Sequence, residues 1–410
     1  MRRIRDRVAG LDVHRDTVVA CAQLFEGGEV RVEKARFKTT LPAVGELAGW
    51  LAEREVTTVA MESTGVYWKP VFYPLEGLFE ELWLCNAQHV KNVPGRKTDM
   101  ADAEWLADVV AHGMVRPSLI PAEPVRAVRE TTRYRKTHIT MRGQEIQRLD
   151  KILQDAGIKL SSVASTVLSK SGRAMLEALI AGERDPEVLA ELALTRMRAK
   201  IPQLIDALQG RFGAHHAMLC RQILDHIDFL DGQIAQLDEA VVEGLGPFEP
   251  AIDLLCTIVG WQSRTAEVFF AETGGDMSKF PTAPHLASWT RLAPGNHESA
   301  GKRRSVSQRP GNSWLGRALI EAARAAARTK DTYFAAQYRR IARHRGPNKA
   351  TVAVAHSMVV AAWHILTTGE PYHDPGGDYF QRRRDRDHET RRLVAQLEKL
   401  GHTVSLDPAA

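Results

Sequence analysis

The chain has 410 residues, and 44% of them are hydrophobic, which is enough for two or three domains with buried cores. Its net charge of +5 and pI near 9.0 show that it is not uniformly basic, so nucleic-acid binding would have to rest on local basic clusters. The four cysteines lack the spacing of a zinc site or a disulfide framework, and no apolar stretch follows the N-terminus for a signal peptide. We therefore expect a protein of the reducing cytoplasm.

The first 120 residues alternate between valine-rich runs typical of strands and segments typical of helices. The predicted strands are 8–13, 17–24, 29–39, 56–62 and 82–85, and the predicted helices are 41–54, 66–79 and 99–112. The first and fourth strands each end on an acid, Asp12 and Glu62. This order predicts an α/β domain in which the two acids lie at neighbouring strand ends.

Two further acids, Asp99 and Asp102, lie three residues apart on the third predicted helix and so share a face. Carboxylates that converge on one point repel each other unless a hard cation lies among them, and Mg²⁺ is the usual choice beside phosphate. The four acids therefore predict a metal site for phosphodiester chemistry. Alternatives remain open, because Asp99 could cap the helix without a metal and Asp16 could begin a turn after the first strand.

A basic helix is predicted at 124–155, after Pro124 in its first turn. Its basic residues recur at helical spacing and predict a face that follows nucleic-acid phosphates, of RNA or DNA; they are Arg126, Arg129, Arg133 and Lys136. A solvated helix face is the alternative.

A heptad pattern of apolar residues runs from Ile223 to Val241 and predicts a coiled coil. The partner helix could belong to another subunit or be the helix at 124–155 of the same chain. Residues 250–273 indicate two helices joined by a tight turn at Gly260.

The last third of the chain is predicted to be mostly helical. The helix at 311–331 presents a stripe of arginines suited to phosphate, Arg317, Arg324 and Arg328. The apolar segment 350–366 is shorter than a bilayer requires and contains two histidines, so we expect a buried helix and no membrane partner. From residue 381 onward, the mixed charges predict a solvated helix.

Six segments of the sequence are similar to a known family. They are GLDVHRDT, VAMESTGVYW, GRKTDMADAEWLAD, RLAPGNHESAGKRRS, GNSWLGRALIEAARAAARTKDTYFAAQYRRIARHRG and AVAHSMVVAAWHIL. In these segments the chain resembles DEDD-type bacterial insertion-sequence transposases, the insertion-sequence family one-hundred-ten, which also includes pilin-gene invertases.

The resemblance implies four parts of the chain. These are a ribonuclease H-like (RuvC-like) domain at 1–118, akin to Holliday-junction resolvases, a helical coiled-coil region at 119–245, a mostly helical transposase domain at 246–380 and a charged tail at 381–410. It also implies a helix-hairpin-helix at 250–273. However, Val259 and Gln262 replace the usual proline and second glycine there, so packing is at least as good an interpretation as a phosphate grip.

The resemblance further implies the site and its partners. Asp12, Glu62, Asp99 and Asp102 become an acidic tetrad for Mg²⁺, with Mn²⁺ as the alternative. The family's nucleophilic serine precedes a small residue, a glycine and basic residues, which here is ESAGKRR, so the role falls on Ser299; Ser305 and Ser307 remain alternatives. Basic residues that would contact nucleic acid follow at once, Lys302, Arg303 and Arg304.

The expected function is therefore a transposase or site-specific recombinase of an insertion sequence, directed by a noncoding bridge RNA. It would act on donor and target DNA as a dimer or tetramer in the bacterial cytoplasm, associated with the nucleoid. Two other functions stay open. One is a hydrolytic, structure-selective nuclease resembling Holliday-junction resolvases, and the other is a nucleic-acid-binding relic that has lost catalysis.

Overall fold

The structure, a computed structural model, describes residues 2–63, 65–87, 90, 102–293, 298–299, 302–303, 312–382 and 386–406, with the backbone alone at 298–299, 302–303 and 386–389. The chain divides into two compact units, Met1–Ile120 and Pro121–Ala410. The finer division into four parts remains a prediction.

Unit 1 is built on a mixed five-stranded sheet. Its strands are β1 (Arg7–Val13), β2 (Thr17–Glu26), β3 (Glu29–Lys38), β4 (Thr58–Glu62) and β5 (Glu81–Cys85). The order across the sheet is β3-β2-β1-β4-β5. The first three strands form an antiparallel meander, whereas β4 runs parallel to both β1 and β5. All five predicted strands are thus confirmed, with their ends within two residues of prediction.

Helices cover both faces of this sheet. They are α1 (Leu41–Ala52), α2 (Lys69–Leu75) and α3 (Asp102–Ala111). Side chains alternate between the two faces of a strand. Leu11 of β1 therefore packs in a core with α1 and α2, whereas Val8, an odd number of residues earlier on the same strand, packs in a second core with α3. The central strands are buried on both faces for this reason, which explains why they are apolar runs that lack polar alternation.

Helix α2 is much shorter than the predicted 66–79. Pro70 lies in its first turn, Pro74 interrupts its interior, and Gly77 follows its end with a left-handed φ of +78°. Proline removes a backbone donor and crowds the preceding turn, so the segment sustains only seven helical residues.

Unit 2 is mostly helical. Its helices are α4 (Glu123–Asp155), α5 (Leu160–Val163), α6 (Lys170–Ala181), α7 (Pro186–Glu191), α8 (Ile201–Leu208), α9 (Ala214–Leu245), α10 (Glu249–Cys256), α11 (Ser263–Thr273), α12 (Ala283–Trp289), α13 (Ser313–Ala326), α14 (Tyr333–Arg345), α15 (Pro347–Thr368), α16 (Tyr379–Arg382) and α17 (Arg386–Lys399). Two short strands, β6 (Glu298–Ser299) and β7 (Lys302–Arg303), pair antiparallel. A five-stranded mixed sheet followed by helices confirms the α/β-plus-α class at this level.

The two longest helices, α4 and α9, pack against each other as an antiparallel hairpin. Ion pairs join them in register, Arg135 to Asp238 at 2.9 Å and Arg142 to Asp231. Within the heptad stripe Ile227 is 1% exposed, buried against α4. The partner predicted for this stripe is therefore present in the same chain.

Two predictions for the C-terminal third and the turn at Gly260 concern packing. Helix α15 has 22 residues and the length and apolar composition of a membrane span, so the prediction that this segment is too short was wrong, but eight of its residues are buried in unit 2, as in the core helix of a globular unit. A Cβ on Gly260 would lie 2.8 Å from the carbonyl oxygen of Ala322 and from the amide nitrogen of Ala326. The turn before α11 therefore packs closely on α13, which agrees with a packing role.

Candidate active site

The ends of β1 and β4 bring Asp12 and Glu62 together. The two strands are parallel neighbours, and Leu11 lies opposite Met61 in their register. Asp12 and Glu62 are the next residue on each strand. Neighbouring strands lie about 4.8 Å apart, and side chains in matched register point to the same face, so the two carboxylates are neighbours.

That face is the one covered by α3. Glu62 lies opposite Cys85 in the β4–β5 register, and the Cys85 side chain is buried in the core against α3. Burial raises the pKa of the Cys85 thiol to about 12, with a further contribution from the negative charge of Glu62. The Glu62 carboxylate is thus close enough to influence the Cys85 thiol, which lies on the α3 side of the sheet.

Gly10 determines where the third acid lies. A Cβ at this position would lie 2.0 Å from the carbonyl oxygen of Ala103 and 2.7 Å from the amide nitrogen of Ala107. Helix α3 therefore crosses β1 in backbone contact with Gly10, two residues before Asp12. Asp102, the first residue of α3, is next to Ala103 in this contact, so it lies at the same edge of the sheet as Asp12.

Two neighbours of the acids were not recognised in the sequence. The Nε2 atom of His14 lies 3.1 Å from Oδ2 of Asp12, whose side chain is 29% exposed. Lys34 is the second neighbour, and its Nζ atom lies 2.5 Å from a carboxylate oxygen of Glu104, an acid of α3 outside the predicted tetrad. His14 follows the end of β1 directly, and its spacing of two from Asp12 is a signal for the first contact, since residues two apart in extended chain share a face.

Three described acids supply carboxylate oxygens, the donors that Mg²⁺ prefers, at one edge of the sheet, although their oxygens do not all come within 4.8 Å of one another as the ligand atoms of a group in unit 2 do. Asp12 and Glu62 are neighbours on one face, and Asp102 is at the end of the helix that covers it. Asp99 lies outside the described residues.

The backbone of Ser299 lies in β6, directly opposite Lys302 of β7, and Glu298 lies opposite Arg303. Lys302, the first basic residue after the serine, is therefore its partner across a two-stranded ladder. Arg304, Ser305 and Ser307 lie outside the described residues.

Comparisons with known proteins agree on one family. The family model for DEDD-type IS110 transposases matches residues 9–158, and the model described as "Transposase IS116/IS110/IS902 family" matches residues 252–339. Together the two models cover more than half of the chain. The chain belongs to the IS110 family of transposases.

Two curated relatives match almost the whole length of this IS110-family chain. "Transposase for insertion sequence element IS1111A" of Coxiella burnetii (strain RSA 493 / Nine Mile phase I) is 24% identical over 381 residues, which are 89% of this chain and 91% of the relative. "Putative transposase y4pF/y4sB" of Sinorhizobium fredii (strain NBRC 101917 / NGR234) is 24% identical over 348 residues, 81% of this chain and 78% of the relative.

The two matched regions of this IS110-family chain coincide with its candidate groups. The first contains Asp12, Glu62 and Asp102, and the second contains Ser299. Residues 159–251, which include the whole of α9, lie in neither region.

The basic residues of α4 are engaged within unit 2. Arg129 and Arg133 contact Glu272 of α11, which is fully buried, and the Nε atom of Arg133 lies 2.7 Å from its Oε1 atom. Lys136 pairs with Glu321 at 3.1 Å. Removing a buried charge from its partners is strongly unfavourable, so Arg129 and Arg133 contribute to packing whatever else they bind.

A second group of potential metal ligands lies in unit 2, formed by Asp155, His215 and His216. The backbone N–H of Gly213 donates to Nδ1 of His216 at 3.0 Å, and Nε2 of the same ring lies 3.1 Å from Oδ2 of Asp155. A neutral imidazole that accepts at Nδ1 carries its proton on Nε2, which then donates to Asp155. Because Nε2 has no lone pair left for a metal, we assign this group to capping α9.

The arginines of α13 lie in a different environment. Arg317 and Arg324 line a cavity of about 600 Å³ between α13 and the start of α15. Arg126 of α4 lies near the start of that helix, and Lys302 and Arg303 are described by their backbone alone.

Proposed function

We propose that this protein is the transposase of an insertion sequence and that it cuts and rejoins DNA. The observation that carries this proposal is the position of Asp12, Glu62 and Asp102 at one edge of the sheet, in a chain whose two matched regions belong to one transposase family. The mixed sheet with helices on both faces is compatible with the ribonuclease H-like fold that the resemblance implies.

Asp12, Glu62 and Asp102, together with Asp99, would hold Mg²⁺ or Mn²⁺. When bound, the ion supplies positive charge that stabilises a phosphodiester group as negative charge develops on its oxygens. These carboxylates would hold the ion at the carboxyl ends of β1 and β4, and the contact at Gly10 fixes the position of α3 and with it that of Asp102. His14, whose Nε2 atom lies 3.1 Å from Oδ2 of Asp12, would orient the Asp12 carboxylate.

Ser299 is the proposed nucleophile. Its Oγ atom forms a bond to the phosphorus while one P–O bond of the DNA strand breaks, and the proton lost by Oγ balances the one gained by the leaving oxygen. The strand remains attached to the protein as a phosphoserine ester, and attack by a DNA hydroxyl reverses the step and joins a new end. The bond energy is retained, which suits a reaction that must rejoin DNA.

The proposal includes the partners that the resemblance implies. A noncoding bridge RNA would select donor and target DNA, and a dimer or tetramer would hold the DNA ends in the bacterial cytoplasm. The in-chain partner of the heptad stripe means that such an oligomer needs a surface other than this stripe.

The decisive experiment is a search for a covalent protein–DNA adduct. Purified protein, Mg²⁺, candidate RNA and end-labelled element-end DNA are denatured, and the labelled protein is detected on a gel. We expect an adduct with wild type and with Ser305→Ala or Ser307→Ala, and none with Ser299→Ala. Loss of the adduct only in one of the two control variants would move the nucleophile there.

The same samples distinguish the other functions. Rapid Mg²⁺-dependent cleavage by Ser299→Ala without an adduct would indicate a hydrolytic nuclease that uses the acidic site and water. Identical DNA products from wild type and Asp102→Asn would indicate a relic without catalysis.

A further inference from the structure

Two groups of arginines line cavities in unit 2, and the groups differ in whether their charges are paired with acids. In the first, between α4, α11 and α13, each cation has an acidic partner: Arg133 pairs with Glu272, Lys136 with Glu321, and Arg135 and Arg264 share Asp238. In the second, between α13 and α15, Arg317 and Arg324 form no ion pair with any residue in the described part of the chain. Among the described residues, acids therefore neutralise the first set of arginines and leave Arg317 and Arg324 unpaired.

The second cavity continues along α13. A further cavity of about 300 Å³ shares Arg324, Asn348 and Thr351 with the one of about 600 Å³, and it adds Arg328. Together they form one groove, which we call the α13–α15 groove. Its one described acid is Glu321, which already pairs with Lys136. The groove is therefore strongly positive.

The spacing of the arginines matches a nucleic-acid strand. Arg317 and Arg324 lie seven residues apart, which is about 10 Å along a helix. The two side chains can therefore contact different phosphates of one strand. The first turn of α15 faces the same groove at Asn348 and adds the partial positive charge of a helix N-terminus.

Arg291 lines the same groove in an unusual backbone conformation. It follows α12 with φ +68°, its N–H donates to the carbonyl of Ser288, and the N–H of Leu292 donates to that of Ala287. These two bonds form a Schellman motif, whose left-handed residue is usually glycine. An arginine here is less stable than glycine would be, so the backbone alone does not explain its presence; its side chain at the groove does.

We propose that the α13–α15 groove is a site for the phosphate backbone of a nucleic-acid strand, held by Arg291, Arg317 and Arg324. The inference rests on the proposed function only in the class of ligand, since the charge and spacing of the groove are independent of the chemistry at Ser299. DNA and RNA present the same phosphate chemistry, and the test distinguishes them.

The test measures binding without catalysis. Fluorescently labelled 20-nucleotide duplex DNA, single-stranded DNA and single-stranded RNA are titrated with full-length protein in EDTA at several salt concentrations. For Arg317→Gln/Arg324→Gln we expect affinity to fall about tenfold or more, with the slope of log K against log salt reduced by about two in magnitude. A fall for DNA alone assigns the groove to the DNA substrate, and a fall for RNA alone assigns it to a guide RNA.

Three variants exclude other causes. Arg317→Lys/Arg324→Lys keeps both charges and should keep the wild-type slope. Arg196→Gln removes an exposed arginine far from the groove in the α7–α8 segment and should change neither slope nor affinity beyond about twofold. Arg291→Gly relieves the left-handed backbone, so it should melt at a higher temperature than wild type and yet bind more weakly, which separates loss of binding from loss of folding.

An unchanged salt slope for all three nucleic acids in Arg317→Gln/Arg324→Gln would overturn the proposal. The outcome is independent of the adduct experiment. Ser299→Ala should bind with the wild-type slope, so the groove can be supported while serine catalysis fails, or the reverse.

Discussion

At the scale of single residues, the acids of unit 1 differ in what surrounds them. Glu104 and Asp108 on α3 already have basic neighbours, Lys34 and His112. Asp12 and Glu62 lie side by side because of the register of two parallel strands, and the proposed cation would relieve the repulsion between their charges. Whether an acid is a candidate metal ligand therefore depends more on its position at the sheet edge than on its presence on α3.

We predict that Asp102→Asn abolishes Mg²⁺-dependent DNA cleavage. The amide keeps the shape but loses the charge that the cation needs, so the rate should fall by about two orders of magnitude or more. The matched control is Asp108→Asn on the same helix, which makes the same change of charge and should stay within about threefold of wild type. Rates are measured with end-labelled DNA across a Mg²⁺ titration. Equal loss in both variants would show that the helix, and not the carboxylate, is what matters.

A second residue-scale prediction concerns alkaline stability. Burial raises the pKa of the Cys220 thiol to about 11, above the value of about 9 expected for an exposed thiol. Between pH 9 and 11 the unfolded chain loses this proton and the folded chain keeps it, so the free energy of unfolding falls as the pH rises through this window. The urea midpoint of Cys220→Ala should therefore decline less steeply from pH 8.5 to 10.5 than that of wild type. Parallel declines would contradict the assignment.

At the scale of elements, the contact between α3 and β1 determines whether the acids meet. The atoms that a Cβ at Gly10 would strike are backbone atoms of α3, which cannot rotate away as the end of a flexible side chain can. The helix would have to move off the sheet by more than a carbon radius, and Asp102 would move with it.

We predict that Gly10→Ala removes activity although it changes no functional group. The overpacked contact should destabilise unit 1 by about 1–3 kcal/mol and displace Asp102 from Asp12. Thermal unfolding followed by circular dichroism reports the first effect and DNA cleavage the second. Gly45→Ala, at a helical glycine of α1 whose Cβ would meet no atom within 4 Å, is the control and should be neutral or stabilising. An active Gly10→Ala would show that the helix contact is not needed.

The sequence was a good guide to elements but not to what they face. Short apolar or alternating runs predicted the five strands, because burial on one or both faces of a strand determines its pattern of residue types. The helical spacing of Arg129 and Arg133 predicted a shared face, yet their partner, Glu272, is 139 residues from Arg133 and carries no local signal. The groove position of Arg291 was missed for the same reason, since a left-handed residue that is not glycine cannot be recognised from its type.

At the scale of the whole molecule, the family resemblance predicted more than the pattern of residues did. The elements of unit 1, taken alone, predict a metal site and leave the reaction open. Without the family resemblance, Ser299 would have been interpreted as an ordinary polar residue. Its backbone pairing with Lys302 could not be predicted either, because strands of two residues have no recognisable sequence pattern. The role of this serine and the identity of the guide RNA therefore remain predictions for experiment.

The in-chain hairpin predicts how unit 2 responds to damage along the heptad stripe. Ile227 of α9 is 1% exposed in contact with α4, so Ile227→Asp should lower the melting temperature at every protein concentration. Phe229→Asp, on the exposed side of the same helix with 60% exposure, is the control and should melt close to wild type. Melting is measured over a hundredfold range of concentration. A loss of stability that disappears at high concentration would indicate that another subunit supplies the partner helix.

The backbone contact at Gly10 has a consequence for how copies of such an element decay. A copy that retains Asp12, Glu62, Asp99, Asp102 and Ser299 would look intact to any inspection of its chemical groups. A single methyl group at position 10 would nonetheless separate the helix from the strand. By the prediction for Gly10→Ala, an active and an inactive copy of the element would then differ only at a residue that has no side chain.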